Sequence, residues 1–244
     1  MPNLCAIDFG VSNFAAVVCN DGSSMLYKGG AVPSECQWFH KKRAKAVSII
    51  TKGHEHMHAS SRYLSALSRH HADFIKDQCH KISRSIINYC MEHQTGTLVL
   101  GENKRWKQDC DMGSQNNQNF VSMPTGLLKQ MIIYKASDAG IKIIMQEESY
   151  TSQADITAMD YIPVYGVDAE NTVFSGRRIS RSLYRCFNGM IINADCNGAA
   201  NIMRKAITDA WNSITDFSFL ASPEVSGFHE LNPLSISVKG IAAA

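Results

Sequence analysis

The stretch Leu4-Cys5-Ala6-Ile7-Asp8-Phe9-Gly10 decides the fold. Four apolar residues run without a break into an aspartate and a glycine, the pattern of a short strand buried on both faces that ends at a turn. A second apolar run, Phe14 to Cys19, is closed by Asn20-Asp21-Gly22. Asp-Gly is a hairpin signal, and Ser24 to Tyr27 supplies a third strand. The chain therefore opens with an antiparallel meander. Further along, Thr97 to Gly101 reads as a buried strand that ends at Glu102. Pro124 opens a helix through Leu127, Leu128, Met131, Ile132 and Ala136, Gly140 ends it, and Ile141 to Met145 is again a strand. A strand–helix–strand unit of this kind is a right-handed crossover. Meander plus crossover predicts an α/β domain with a mixed central sheet and flanking helices.

Between the two lies a helical, basic insertion, 37–93. It holds no proline and one glycine, Gly53, and its apolar residues recur at helical spacing: Tyr63, Leu64, Leu67, Phe74, Ile75, Ile82, Ile86, Ile87, Cys90. Two helices, or one interrupted helix, are expected. From Gln37 to Cys90 ten Lys/Arg stand against three Asp/Glu, an excess that the whole-chain charge of +2 conceals. A basic stripe is the electrostatic footprint of a phosphate backbone; a solvated charged face is the plainer alternative. Residues 151–181 form a polar, irregular loop. Tyr184 to Asn193 suits a short strand pair about Asn188-Gly189, and Asp195 opens a helix with Ala199, Ala200, Ile202, Met203 and Ile207 on one side. Residues 1–214 read as one domain, and 215–244, where periodicity fades, as an irregular C-terminal extension.

A chain of 244 residues with 45% apolar and 19% charged side chains is neither disordered nor collagen-like, and it is long enough to bury a core without metal or disulfide. No run approaches the roughly 20 apolar residues of a membrane span. Eight cysteines are scattered without a CxxC pair, which argues against a zinc ribbon and against a stapled secreted scaffold. Cys5 and Cys19, inside apolar runs, read as free, buried thiols in a reducing, cytoplasmic compartment.

Three carboxylates share an unusual context. Asp8 ends the first strand, Glu102 follows the central strand, and Asp195 opens a helix after an apolar segment. Carboxylates among buried neighbours are costly unless paired with cations or metal. Strand ends of an α/β sheet converge on one edge, where such folds bind ligands, and an all-oxygen site suits Mg²⁺ or Mn²⁺. Two ions roughly 3.5–4 Å apart activate water and stabilise the leaving oxygen of a phosphodiester. Asp8 is the expected bridging ligand, with Glu102 and Asp195 each completing one metal. The expected products carry a 5′-phosphate and a 3′-hydroxyl. Taken singly, Asp8 is also compatible with a turn and Asp195 with a helix N-cap.

Several strings resemble the RuvC-like portion of the transposon-encoded TnpB nucleases. Ile7-Asp8-Phe9-Gly10-Val11-Ser12-Asn13 resembles their first motif, Gly101-Glu102-Asn103-Lys104 the second, and Asn193-Ala194-Asp195-Cys196-Asn197-Gly198-Ala199-Ala200-Asn201-Ile202 the third. Asn117-Gln118-Asn119-Phe120-Val121, Tyr134-Lys135-Ala136, Glu147-Glu148-Ser149-Tyr150-Thr151-Ser152 and Phe174-Ser175-Gly176-Arg177-Arg178 fall in the same order between them. The resemblance runs from about residue 4 to 205. It implies an RNase H-like (RuvC) fold, metal-dependent DNA cleavage with Asp8, Glu102 and Asp195 as the catalytic and metal-binding triad, and a relation to type V CRISPR effector nucleases. It also implies guidance by a transposon-derived RNA in a prokaryotic, nucleoid-associated setting.

Two departures qualify that picture. Full-length relatives carry an N-terminal recognition region before the first motif, so guide RNA and DNA recognition are expected to need a separate chain. Many relatives insert a four-cysteine ribbon after Thr151-Ser152; Gln153 to Thr172 holds no cysteine, so no zinc is expected. Lys104, Arg105, Trp106 and Lys107 beside Glu102, and Arg177, Arg178, Arg181 and Arg185, are the expected nucleic-acid contacts, with Trp106 stacking on a base or else packed in the core. His54, His56 and His58 lack a fourth ligand at fixed spacing and read as exposed. Two rivals remain: a catalytically silent relative that binds nucleic acid or is a transposon remnant, and an actin-like ATPase or kinase. The ATPase shares the Asp8-Phe9-Gly10 opening but requires a glycine-rich phosphate loop that this sequence lacks.

Overall fold

The computed structural model describes residues 1–10, 13–53, 58–102, 124–166 and 172–231. Lys104, Arg105, Trp106, Lys107, His54 and His56 lie outside the described residues.

The opening meander forms as its pattern requires. β1 (Asn3–Asp8) pairs antiparallel with β2 (Asn13–Cys19), which pairs antiparallel with β3 (Ser23–Lys28). Gly22 takes the positive φ that closes the β2–β3 hairpin. β4 (Thr95–Glu102) lies parallel to β1, and β5 (Lys142–Glu147) parallel to β4. The mixed sheet of an RNase H-like fold follows, ordered β5-β4-β1-β2-β3 with β9 (Glu224–Ser226) beyond β3, so that Asp8 ends a strand well inside it.

Alternation splits the apolar runs between two faces. Cys5, Ile7, Ala15, Val17, Leu98 and Leu100 meet one layer, formed by α1 (Ala31–Ile50), α2 (Arg62–Glu92) and α3 (Thr125–Asp138). Ala6, Ala16, Val18 and Val99 meet the other, formed by α4 (Ala194–Ala206) and its surroundings. Covering both faces is why these strands read as continuous apolar runs rather than as alternation.

The helical insertion starts earlier than expected. α1 begins at Ala31, with Pro33 in its first turn, where a proline costs no hydrogen bond. α2 is capped by Ser61, whose hydroxyl accepts from Leu64 N, and buries Leu64, Leu67, Ile75, Cys79, Ile82, Ile86 and Cys90 at intervals of three, four and eight.

Two further expectations give way. Cys5 and Cys19 are not free thiols. The β1–β2 register sets them opposite one another with Cα atoms 4.1 Å apart, and they are joined by a disulfide. They form the close, non-hydrogen-bonded kind of cross-strand pair, since Asn20 N donates to Leu4 O next to them. The irregular extension also gains structure after residue 215. A 3₁₀ turn (Ser218–Leu220) buries Leu220, Phe217 packs edge-on against Trp211, and β9 (Glu224–Ser226) pairs parallel with β3 as the edge strand of the main sheet. The described chain ends with a short helix, α5 (Phe228–Leu231).

Candidate active site

β1 and β4 deliver Asp8 and Glu102 to the same edge of the sheet, because they are parallel neighbours and both carboxylates are last in their strands. Asp195 arrives from the other layer. It is the second residue of α4, which is capped by Asn193: that side chain accepts from the backbone N–H groups of Asp195 and Cys196, at 3.0 and 3.1 Å. Asp195 is therefore not the N-cap, and its carboxylate is released to point elsewhere.

What brings α4 up to the strand end is small residues. Ala194, Gly198, Ala199 and Ala200 are buried along it, and a β-carbon on Gly198 would stand 2.6 Å from Asp8 Oδ2. Asn197 and Asn201, one turn apart and fully buried, pin the loop after β5: Asn197 donates to Ala154 O, and Asn201 to Ala154 O and Thr151 O.

That loop introduces a fourth acid. Of the twin glutamates that end β5, Glu147 accepts from Lys205 Nζ at 2.6 Å. Glu148, the first residue after the strand, turns instead toward Gly101 and Asp8. Its Oε2 lies 2.6 Å from where a Gly101 β-carbon would be. Tyr150, at φ 65°, holds the sharp turn, and Thr151 donates to Glu148 O through both its amide and its hydroxyl. Burial pushes the Asp8 carboxyl well above its ordinary range; the charges of Glu148 and Asp195 add to this, and Arg178 and Lys129 oppose it.

Cations hold these acids. Arg178 Nη2 is 3.1 Å from Asp195 Oδ1, and Asn13 Nδ2 donates to Asp195 Oδ2 at 2.7 Å; Lys28 Nζ in turn donates to Asn13 Oδ1. Lys129, in the first turns of α3, donates from Nζ to Gly101 O and sits 4.8 Å from the Phe9 ring centroid. Glu102 enters this set through its charge on Lys129.

A second, small sheet carries the arginines. β6 (Arg177–Arg178), β7 (Leu183–Arg185) and β8 (Ile191–Asn193) pair antiparallel. Arg177 and Arg185 are direct cross-strand partners, while Arg178 pairs with the buried Tyr184. The same alternation that buries Tyr184 aims Arg178 at Asp195 and leaves Arg177 and Arg185 outward. Arg181, also exposed, offers its carbonyl to the Arg178 guanidinium. A cleft of about 260 Å³ beside Arg177 and Arg178 is lined by Ser152, Gln153, Phe174 and Tyr184. The loop behind it is tied by two buried acids. Asp155 accepts from Thr157 N, Thr157 Oγ1 and Phe187 N, and Asp160 from Asp155 N, Ser175 N and Ser175 Oγ.

The structure thus draws Asp8, Asp195 and Glu148 together and sets Glu102 on the neighbouring strand end. Among the described residues, no group of three or more His, Cys, Asp or Glu is close enough to hold a metal ion. The donors nevertheless suit a hard divalent cation: all are carboxylate oxygens, and the charges of Asp195 and Glu148 bear on Asp8, against which α4 packs through Gly198. Reading the residues one by one missed Asn13, Lys28, Lys129 and Glu148. Asn13 and Glu148 stood inside strings already singled out as motifs; Lys129 carried no signal beyond being a lone cation in an apolar helix. His58 is exposed, as expected.

Comparisons with known proteins bear on the family and the fold. Residues 3–107 match the family OrfB_IS605, described as "Probable transposase", and residues 126–202 match the Cas12f1-like TNB domain. The TnpB-like protein ORF457 of Acidianus two-tailed virus is 25% identical over 219 residues, covering 86% of this chain and 43% of that protein. The CRISPR-associated endodeoxyribonuclease Cas12f1 of Sulfoacidibacillus thermotolerans is 32% identical over 132 residues, covering 54% of this chain and 27% of that protein. The chain spans less than half the length of these relatives. A cryo-EM structure titled as a Cas12f1–sgRNA–target DNA complex shares the fold at TM-score 0.59 and 18% identity, over 84% of this chain and 50% of that one. A second, of a CRISPR–Cas12f ternary complex, does so at 0.55 and 18%, over 82% and 38%. With the two family models matching successive stretches of the chain in order, this protein belongs to the TnpB/Cas12f family and matches its RuvC-like portion.

Proposed function

We propose that this chain is a metal-dependent DNA endonuclease domain of a transposon-associated, RNA-guided protein. The observation that carries the reading is the convergence of Asp8 and Asp195, from two different layers, at the strand end that Glu102 shares. Asp8, Glu102 and Asp195 would hold Mg²⁺ or Mn²⁺, with Glu148 beside them. Such an ion would supply Lewis-acid stabilisation of phosphodiester hydrolysis and activate a water. The chain's own residues bind and orient the strand. Arg177 and Arg185, opposed on the outer face of the small sheet, present a paired positive charge to successive phosphates. Arg178, next to Asp195, reaches the phosphate nearest the carboxylates. Lys104, Arg105, Trp106 and Lys107 are proposed to continue this track. DNA and a guide RNA are the proposed partners, in keeping with relatives named as endodeoxyribonucleases and solved with guide RNA and target DNA.

A silent, nucleic-acid-binding relative is the second reading. It is favoured by one observation: Asp195 is already engaged by Arg178 and Asn13. Cleavage of labelled single-stranded DNA in Mg²⁺, Mn²⁺ and EDTA, with Asp8→Ala as control, separates the two. Metal-dependent cutting that Asp8→Ala abolishes supports the nuclease. Binding without cutting in any metal overturns it in favour of the silent relative.

A further inference from the structure

Four acids stand at or beside one sheet edge, and the described cation deepest among them is not an arginine. Lys129 comes from α3, in the opposite layer to α4. Its ammonium bonds Gly101 O, the carbonyl immediately before Glu102, and rests on the ring of Phe9, the residue immediately after Asp8. Phe9 is itself buried, so the ammonium stands on a fixed platform. Glu148 Oε2 occupies the space where a β-carbon on the same Gly101 would stand. One side chain thus touches the ends of both carboxylate-bearing strands and shares Gly101 with the fourth acid. Burial lowers the Lys129 pKa, and the charges of Glu148, Glu102 and Asp8 oppose that shift.

We propose that Lys129 is the resident counter-cation of this carboxylate cluster: it ties the ends of β1 and β4 together while no divalent cation is bound, and it competes with such a cation for the same negative charge. Lys129 is a positioning residue here, and its role rests on the metal-dependent reading of the site. A lysine that only braced the two strands would leave metal affinity unchanged or weaken it on removal. A competing cation does the reverse, because its loss leaves the acids undercompensated until a metal arrives. The sign of the change in affinity therefore decides the matter.

The test is a calorimetric Mn²⁺ titration of the full chain, alongside thermal unfolding with and without Mn²⁺, for wild type, Lys129→Met and Lys129→Arg. In Lys129→Met the metal-free unfolding midpoint falls, the Mn²⁺-induced rise grows, and half-saturation comes at roughly three- to tenfold lower Mn²⁺, the order expected for removing one like charge beside a partly solvated ion. Lys129→Arg behaves as wild type. Lys129→Gln keeps a donor for Gly101 O without the charge and carries the same expectation should the methionine variant not fold. Wild-type binding with equal or weaker binding in the neutral variants overturns the proposal alone. Absence of any Mn²⁺ response in wild type overturns the metal-dependent reading, and this proposal with it.

Discussion

Gly198 and Asp8 are in contact across the two layers: a β-carbon on the glycine would stand 2.6 Å from Asp8 Oδ2. Asp195, three residues before Gly198, is brought to Asp8 by that close approach of helix and strand. In helix interiors alanine is about 1 kcal/mol better than glycine, so Gly198→Ala is favourable on propensity alone. The clash opposes this and is larger, since overpacking costs roughly 1–3 kcal/mol. Gly198→Ala is expected to lower the unfolding midpoint and to abolish metal-dependent cutting together. A variant more stable than wild type would show that the contact is looser in solution.

Asp8 gives a pH dependence of unusual sign. Its folded-state pKa is raised, chiefly by burial and then by Glu148 and Asp195. The folded chain therefore binds the Asp8 proton more tightly than the unfolded chain. Its contribution is most favourable below the ordinary carboxylate range and is lost as pH rises from there through the raised value. In metal-free buffer, chemical unfolding across mildly acid pH is expected to carry this downward slope, opposed by Asp21, Glu147 and Asp216, whose carboxyls are held below their ordinary range. Asp8→Asn flattens that slope. An unchanged slope in Asp8→Asn places the proton elsewhere.

Arg177 and Arg185 face each other directly across β6 and β7. Like charges in that position destabilise a sheet unless an anion lies between them. Arg177→Gln is expected to leave the free chain at least as stable as wild type while weakening single-stranded DNA binding and reducing the salt slope by about one. Fluorescence anisotropy at several salt concentrations reads both. Unaltered affinity and slope would remove the pair from the nucleic-acid track.

Asp155 is fully buried and accepts three hydrogen bonds, from Thr157 N, Thr157 Oγ1 and Phe187 N. Asp155→Ala strands those donors, and each buried orphan costs about 1–3 kcal/mol. A large fall in the unfolding midpoint is expected. Loss of DNA affinity should accompany it, because Phe187 belongs to the turn joining β7 and β8. A fall in stability with full DNA affinity would show that the arginine sheet holds its place without this tie.

Much of the fold was written locally. The meander, the β4–α3–β5 crossover and the two long helices follow from run length, turn residues and helical spacing, which act between near neighbours. The three acids Asp8, Glu102 and Asp195 were legible because each interrupts an apolar setting. Lys129 was not, since nothing in its own surroundings marks it, and Glu148, though inside a motif string, shows no local sign of which of the twin glutamates turns to Asp8. β9 escaped because Glu224–Ser226 is too short to show a period, and it becomes a strand only by pairing with the edge of β3.

The sequence by itself therefore determined the main strands and helices, and that carboxylates stand at their ends, because burial pattern and chain stiffness are local properties. Tertiary structure alone decided what those carboxylates meet. Parallel pairing of β1 with β4, the approach of α4 through Gly198, and the arrival of Lys129 and Arg178 from opposite layers set charges next to one another that lie far apart in the chain. It also paired Cys5 with Cys19, which a register one residue away would have turned to opposite faces.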